Sequence, residues 1–419
     1  MLRSRRVASA ALALAGALAL TPVAPAAADP IPQGQVRERQ QWVLQTLNAE
    51  AAWRVTKGAG ATVAVIDSGV DDGVAELRGR VTTGPDMTGA PVAAVREPGS
   101  HGTAMASLIA GSGGKGGVAG GDGVLGIAPE AKVLSLPLLP DQPIGPDGTA
   151  EPDTGRQLGD DSPLARAIRY AANHGADVIS MSIGAYGAHP AEREAVSYAL
   201  DKGVVLVAAA GNDGALAVSR QKDTSFWSFP AGYSGVVGVG AVDAELLPAP
   251  FSSDNLSVLV AAPGVDVPVA LPGGGHESAE GTSAATALVA GVAALLKAAH
   301  PDLSPAMVAR ALSTGTRGTP AGGYDDKVGF GVVDAAAALA RADRLAVVGR
   351  AVQVPDDRHF GQGPLSAPPD PPGPNGLRVG AFSGAVLLGL VIFGGAVMVL
   401  TRKAEERAGR ERSRQGPFS

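Results

Sequence analysis

Apolar residues along this chain fall into short continuous runs that alternate with longer stretches of helical period. The first run, Ala61-Thr-Val-Ala-Val-Ile66, is β-branched and ends at Asp67-Ser-Gly69. It predicts a buried strand feeding a tight turn. Strands are predicted in the same way over 131–139, 178–183, 204–209, 236–242 and 256–261. Between them lie helical patterns. A loose one over 41–54 places Trp42, Val43, Leu47, Ala51 and Trp53 on one side, and one over 102–111 turns Ala104, Met105, Leu108 and Ile109 inward. Asp161-Ser162-Pro163 opens a helix that Gly175 closes, Pro190 opens one that Gly203 stops, and 283–298 is a long alanine-rich helix. Elements of these lengths suit crossover connections, so the expected fold is α/β, a parallel sheet covered by helices on both faces. No internal repeat is found.

The two ends have a different pattern. Arg3, Arg5 and Arg6 precede an apolar run over 7–20, and Ala26-Ala27-Ala28 follows before Asp29. That layout predicts a secretory leader over 1–28, cleaved after the alanines. Residues 379–400 form an uncharged run of 22, close to the ~20 residues an apolar helix needs to cross a bilayer. Arg402, Lys403, Arg407, Arg410, Arg412 and Arg414 follow it, whereas only Arg378 borders its other side. The positive-inside rule then puts the 401–419 tail in the cytoplasm and the rest of the mature chain outside. Between Val354 and Pro374 stand seven prolines and little apolar content, so 346–378 is read as an extended linker. A folded body over 47–345, preceded by a short extension over 29–46, is long enough for one large core.

Charge and cysteine content narrow the function. Without the leader and the tail, 25 basic and 37 acidic residues remain, a charge near −12. Nucleic acid and anionic lipid surfaces are poor partners for such a body. There is no cysteine, hence no disulfide, thiolate zinc site or cysteine nucleophile.

Candidate chemistry sits where parallel sheets place it, at the carboxyl ends of strands and at helix starts. Asp67 ends the first strand, His101 stands in Ser100-His-Gly-Thr103 before a helix, Asn212 follows a strand in Ala208-Ala-Ala-Gly-Asn, and Ser283 lies in Gly281-Thr-Ser-Ala-Ala-Thr286 at a helix start. A serine hydroxyl attacks only when a base takes its proton, and a neutral imidazole does so near pH 7. A carboxylate behind the ring fixes its tautomer and stabilises the imidazolium. An asparagine amide and a backbone N–H at a helix start can hold the oxyanion. Each residue alone could be a turn or a cap. All four in the order Asp, His, Ser, with Asn between, point to acyl transfer at Ser283.

Together these motifs resemble the subtilisin-like (S8) serine proteases, over roughly 47–340. The resemblance implies a subtilisin-like fold, peptide-bond hydrolysis of protein or peptide substrates, and no catalytic cofactor. It assigns Asp67, His101 and Ser283 to the triad, and Asn212 with the Ser283 N–H to the oxyanion hole. Ser182-Ile183-Gly184 resembles the strand that pairs with substrate backbone, and Ala208, Ala209, Ala210 and Gly211 the opposite wall of the specificity pocket. Neither wall carries a charge, so an apolar or small pocket is expected. Leader, short extension, proline-rich linker and single C-terminal helix further resemble the mycosins, membrane-anchored proteases associated with type VII secretion in actinobacteria. That implies a type VII membrane complex as partner and an extension that wraps the body without blocking the cleft. The alternative is a structural subunit of a secretion complex that keeps the protease fold for docking. The Asp-His-Ser order disfavours an esterase.

Two departures stand out. Ala287-Leu288 lacks the proline that most subtilisins carry after the nucleophile, and many mycosins have cysteines where this chain has none. Residues 140–161, with Asp141, Asp147, Glu151, Asp153, Asp160 and Asp161, are read as a solvated loop that shapes substrate access. The segment 123–129 resembles the end of a subtilisin calcium loop, but glycines precede it and no metal is assigned. His276 follows Gly273-Gly-Gly275 and is expected on a surface loop.

Overall fold

The computed structural model describes residues 30–32, 34–87, 99–114, 121–138, 162–348 and 376–414. The expected leader, the acidic loop over 140–161 and most of the proline-rich linker lie outside the described residues. The chain divides into two units, Met1–Val352 and Gln353–Ser419.

Among the described residues of the first unit, nine strands make one sheet: β1 (Thr62–Asp67), β2 (Val81–Thr83), β3 (Lys132–Pro137), β4 (Val178–Met181), β6 (Val205–Ala209), β8 (Val237–Val242), β9 (Val258–Pro263), β12 (Thr316–Arg317) and β13 (Val332–Val333). Their order is β12-β13-β9-β8-β6-β4-β1-β3-β2, parallel throughout except for β12 against β13. Two small antiparallel ribbons stand apart, β5 (Ala185–Tyr186) with β7 (Ser228–Phe229), and β10 (Val267–Ala270) with β11 (His276–Ala279).

The central strands are buried on both faces, and successive side chains serve opposite layers. In β1, Val63 and Val65 join one core while Ala64 and Ile66 join the other; in β6, Val205 and Val207 divide from Leu206 and Ala208 in the same way. The first core is covered by α3 (Ser100–Ala110), α7 (Thr282–Ala299), α8 (Pro305–Thr314) and α9 (Ala335–Val348), the second by α4 (Pro163–Asn173) and α5 (Pro190–Asp201). Ser162 caps α4, accepting the Ala165 N–H, with Pro163 at the first helical position as its sequence suggests. Helix α7 packs against β1, β4, β6, β8 and β9 and is buried along nearly its whole length. Its apolar composition is that of a central core helix.

The expected helix over 41–54 is two helices, α1 (Val36–Thr46) and α2 (Ala49–Ala52), because Asn48 turns the chain with φ of 52°. The strand expected to reach Ile183 ends at Met181, which leaves Ser182–Ile183–Gly184 outside the ladder. The segment leading into α2 wraps the body. Ile31 N–H donates to the His276 carbonyl at 2.9 Å, and the Gln40 amide brackets both backbone groups of Leu125 at 2.8 and 3.0 Å.

His276 is not on a surface loop. The three glycines before it turn a hairpin, and β11 carries His276 to Glu76, with Nε2 2.6 Å from Oε1 and side chains only 10% and 3% exposed. Burial alone would raise the Glu76 pKa, but the His276 hydrogen bond and charge, with the Glu76 and Val124 N–H groups, hold it below its ordinary value. A carboxylate depressed in the folded state contributes stability above its unfolded pKa and loses it as pH falls through the folded one. Glu76→Gln is therefore expected to lower the thermal midpoint at pH 7, with the deficit shrinking as the buffer is taken below pH 4.5, the usual glutamate value. A deficit independent of pH would show that the pair contributes no charge-linked stability.

In the second unit, α10 (Gly376–Arg414) contains a span over Gly376–Lys403 that is long and apolar enough to cross a membrane and has none of its length buried. At 1.5 Å per residue its 28 residues extend about 42 Å, more than the ~30 Å hydrocarbon core.

Candidate active site

Strands β6, β4 and β1 are neighbours, and Asn212, Ser182 and Asp67 stand at or just past their carboxyl ends. Asp67 is the last residue of β1 and only 2% exposed. Its Oδ1 accepts the Ser68 N–H at 2.7 Å. Both carboxylate oxygens face His101 Nδ1, at 2.8 and 3.0 Å. An Nδ1 held between two acceptor oxygens carries the ring proton, which makes Nε2 the basic nitrogen.

His101 is the second residue of α3, which starts at Ser100, two residues before the expected helix over 102–111. What brings it to Asp67 is the close fit of two glycine-containing turns. A Cβ on Gly102 would collide with the Gly69 carbonyl, and one on Gly99 with the Ser68 hydroxyl. Ser68 Oγ in turn accepts the Gly102 N–H at 3.0 Å, so Ser68 pins the helix start to the strand end. Sequence reasoning singled out the Asp-Ser-Gly turn but gave Ser68 no part in it.

Ser283 is the second residue of α7, and α7 packs on both α3 and β1. Its carbonyl accepts the Ser182 hydroxyl at 3.1 Å, which ties the start of α7 to the end of β4. Asn212 Oδ1 accepts the Thr282 N–H at 3.0 Å and the Thr282 hydroxyl at 2.9 Å. With its oxygen so engaged, the amide must present Nδ2 away from Thr282. A Cβ at Gly281 would sit 3.4 Å from that Nδ2 and 3.7 Å from the Ser283 nitrogen. The two donors therefore flank one small space that is open because residue 281 is glycine, and its φ of 144° disfavours any side chain. Ala287-Leu288, which lacks the proline, continues α7, and Thr286 Oγ1 donates to the Thr282 carbonyl at 2.7 Å.

The two expected pocket walls also meet. Ser182, Ile183 and Gly184 follow β4, while Ala208 and Ala209 end β6 and Ala210 and Gly211 continue it. Ser228 of β7 bridges them: a Cβ on Gly184 would strike its hydroxyl, and one on Gly211 would lie 3.6 Å from its Cβ. Nothing in the local sequence marked Ser228. The carboxylate of Asp213 also lies near, 3.5 Å from a Cβ placed on Gly211, so the second wall has an acidic neighbour that its own residues did not reveal. Tyr186 hydrogen-bonds Asp213, and burial first, then that bond and the Asp213 charge, push its phenol up to about 12. Among the described residues no group of three or more His, Cys, Asp or Glu side chains is placed to hold a metal.

Comparison with known proteins agrees with this architecture. Residues 58–331 match the subtilase family, Peptidase_S8. Mycosin-1 of Mycobacterium tuberculosis is 36% identical over 332 residues, covering 71% of this chain and 72% of that protein. Subtilisin E of Bacillus subtilis is 35% identical over 251 residues, covering 60% of this chain and 59% of that one. The structure of the MycP3 protease from the type VII (ESX-3) secretion system superposes with a TM-score of 0.59 at 32% identity, covering 71% of this chain and 87% of that one. The chain belongs to the subtilase family as a subtilisin-like serine endopeptidase closely related to the mycosins.

Proposed function

We propose that this protein is a membrane-anchored, extracytoplasmic endopeptidase that hydrolyses peptide bonds through Asp67, His101 and Ser283, in association with a type VII secretion complex. The observation that carries the chemical part is the Asp67–His101 pair, with Nδ1 2.8 Å from a nearly fully buried carboxylate, on a helix that packs against the helix starting Thr282-Ser283.

In this reading, substrate backbone lies along Ser182–Ile183–Gly184 and its side chain enters the pocket bounded by Ala208–Gly211. Ser283 Oγ attacks the scissile carbonyl while His101 Nε2 takes its proton, and Asp67 stabilises the imidazolium that forms. The carbonyl oxygen becomes an oxyanion held by Asn212 Nδ2 and the Ser283 N–H, helped by the positive end of the α7 dipole. His101 then passes the proton to the departing amine, leaving an acyl-Ser283 ester. Water deprotonated by His101 attacks that ester, releases the acid and restores the hydroxyl. No metal takes part in these steps.

The proposed position rests on α10 and on kinship. An exposed apolar helix of membrane-crossing length, followed by Arg402 and Lys403, supports an anchor with the tail in the cytoplasm and the protease domain outside. The domain limits read from the sequence, with a leader to residue 28 and a linker over 346–378, fit this placement. The secretion role rests on kinship with Mycosin-1 and the MycP3 protease.

In the host, replacing Ser283 by Ala separates catalysis from scaffolding. The chain is expected to remain in the membrane fraction while its substrate accumulates uncleaved, with deletion of the whole gene reproducing that defect. Secretion lost on deletion with no change at all in Ser283→Ala would instead support the docking subunit.

A further inference from the structure

The ribbon formed by β5 and β7 continues the specificity pocket outward, and its face carries aromatic rings that the reaction does not use. Tyr186 pairs with Ser228 across the ribbon, so the two side chains share one face. Ser228 is the residue that bridges Gly184 and Gly211, so this is the face that bounds the pocket. Phe226 stands two residues before Ser228 and returns to the same side; its ring meets Tyr186 edge-on with centroids 5.7 Å apart. Both rings are largely exposed, Tyr186 at 42% and Phe226 at 48%.

The rings are held firmly for exposed residues. Ser225 N–H donates to the Asp254 carbonyl at 2.9 Å, and Asn255 Nδ2 donates to the Phe226 carbonyl at 3.2 Å. Lys222 at the end of α6 (Ala217–Lys222) sets its ammonium 5.4 Å from the Phe226 centroid, a cation–π distance. Trp227 faces away, against Gly232 and the far side of the ribbon. Rigid, braced aromatic pairs of this kind carry binding energy because little side-chain freedom is lost when they are covered.

Their occupant follows from continuity with the cleft. Among the described residues, the backbone groups of Ser182, Ile183 and Gly184 take no backbone partner, and Ser182 touches the nucleophile's residue. An extended substrate paired there starts its cleavable bond at Ser182 and runs toward Tyr186. Side chains of an extended strand alternate, so the residue in the pocket and the one two positions upstream point to the same face, about 7 Å apart. With the residue in the pocket opposite Ser182, the one two positions upstream lies opposite Gly184, which has no side chain, and the Tyr186 ring at the next same-face position is its diagonal neighbour.

We propose that Tyr186 and Phe226 form an aromatic shelf that binds a large apolar side chain of the substrate, two residues upstream of the one in the specificity pocket. This rests on the reading of 182–184 and 208–211 as the substrate cleft. The shelf selects sequence beyond the cleaved residue, and it favours phenylalanine-like side chains over small or acidic ones.

The test uses the full-length protein in detergent and two peptides that differ only at that upstream position, Phe against Ala. The wild type is expected to show a kcat/KM ratio of about tenfold in favour of Phe, the scale of an aromatic pair plus partial burial. Phe226→Ala should bring the ratio to about one, while Phe226→Tyr should restore it. General damage lowers both peptides together and leaves the ratio alone. Calorimetric titration of the same peptides onto Ser283→Ala reads the preference without hydrolysis, so the shelf is judged even if no peptide is cleaved. Absent cleavage with a tenfold binding preference would overturn the protease reading and keep the shelf. A wild-type ratio near one, a ratio unchanged in Phe226→Ala, or a preference for Glu over Phe would overturn the shelf.

Discussion

Replacing Ser283 by Ala is expected to lower kcat by about a millionfold, the loss known for the nucleophile of subtilisin and carried over here by family membership. The alanine has no hydroxyl to attack with, yet the Ser283 N–H and Asn212 remain to polarise the carbonyl, so the residual rate stays about a thousandfold above water. Ser283 is partly exposed at the start of a helix whose remaining turns are buried, and its own hydroxyl carries none of that packing. Thermal stability should therefore be unchanged, and the loss should fall on kcat with little change in KM. Replacing His101 in addition should lower the rate hardly further, because base and nucleophile act as one unit. Stopped and steady-state assays on the single and double variants check both statements; additive losses would mean that the two residues do not work on the same proton.

Asn212→Ala has the second largest expected effect, a fall in kcat of about a hundred- to a thousandfold, or ~3–4 kcal/mol of barrier. This magnitude too is that of the corresponding subtilisin replacement. The physical case in this chain comes from Thr282. It engages Asn212 Oδ1 through both its N–H and its hydroxyl, which orients the amide so that Nδ2 faces the space beside Gly281. Ground-state carbonyls need that donor less than the oxyanion does, so KM should move little. Thr282→Val removes one of the two bonds to Oδ1 and should give a smaller fall in kcat of the same kind. An Asn212→Ala defect confined to KM would place the amide in substrate binding and remove it from the oxyanion site.

Much of this arrangement was legible along the chain, for local reasons. Strand β1 is β-branched and ends at a turn, α4 carries a serine cap and a proline start, and α7 begins with small residues that let it approach the strands. These signals depend on neighbours in sequence. What could not be read depends on residues brought together by the fold. His276 looked like loop because three glycines precede it, but those glycines close a hairpin that delivers it to Glu76, 200 positions away. The helix over 41–54 broke at Asn48, where a left-handed residue interrupts an apolar period that continues past it. Thr282 orients Asn212 across 70 positions, and Ser228 bridges Gly184 and Gly211 from a third segment. The motif residues were visible; the side chains that aim them were not.

The central claim is that one serine, Ser283, is made nucleophilic by His101 held on Asp67. A peptidyl organophosphonate ester, which phosphonylates only an activated serine, tests this on the full-length protein in detergent, with the labelled site read by peptide mass spectrometry. The account predicts a single adduct at Ser283, none on Ser283→Ala, and labelling slowed at least about a thousandfold in His101→Ala. No adduct on the wild type, or one mapped to any other serine, would contradict it.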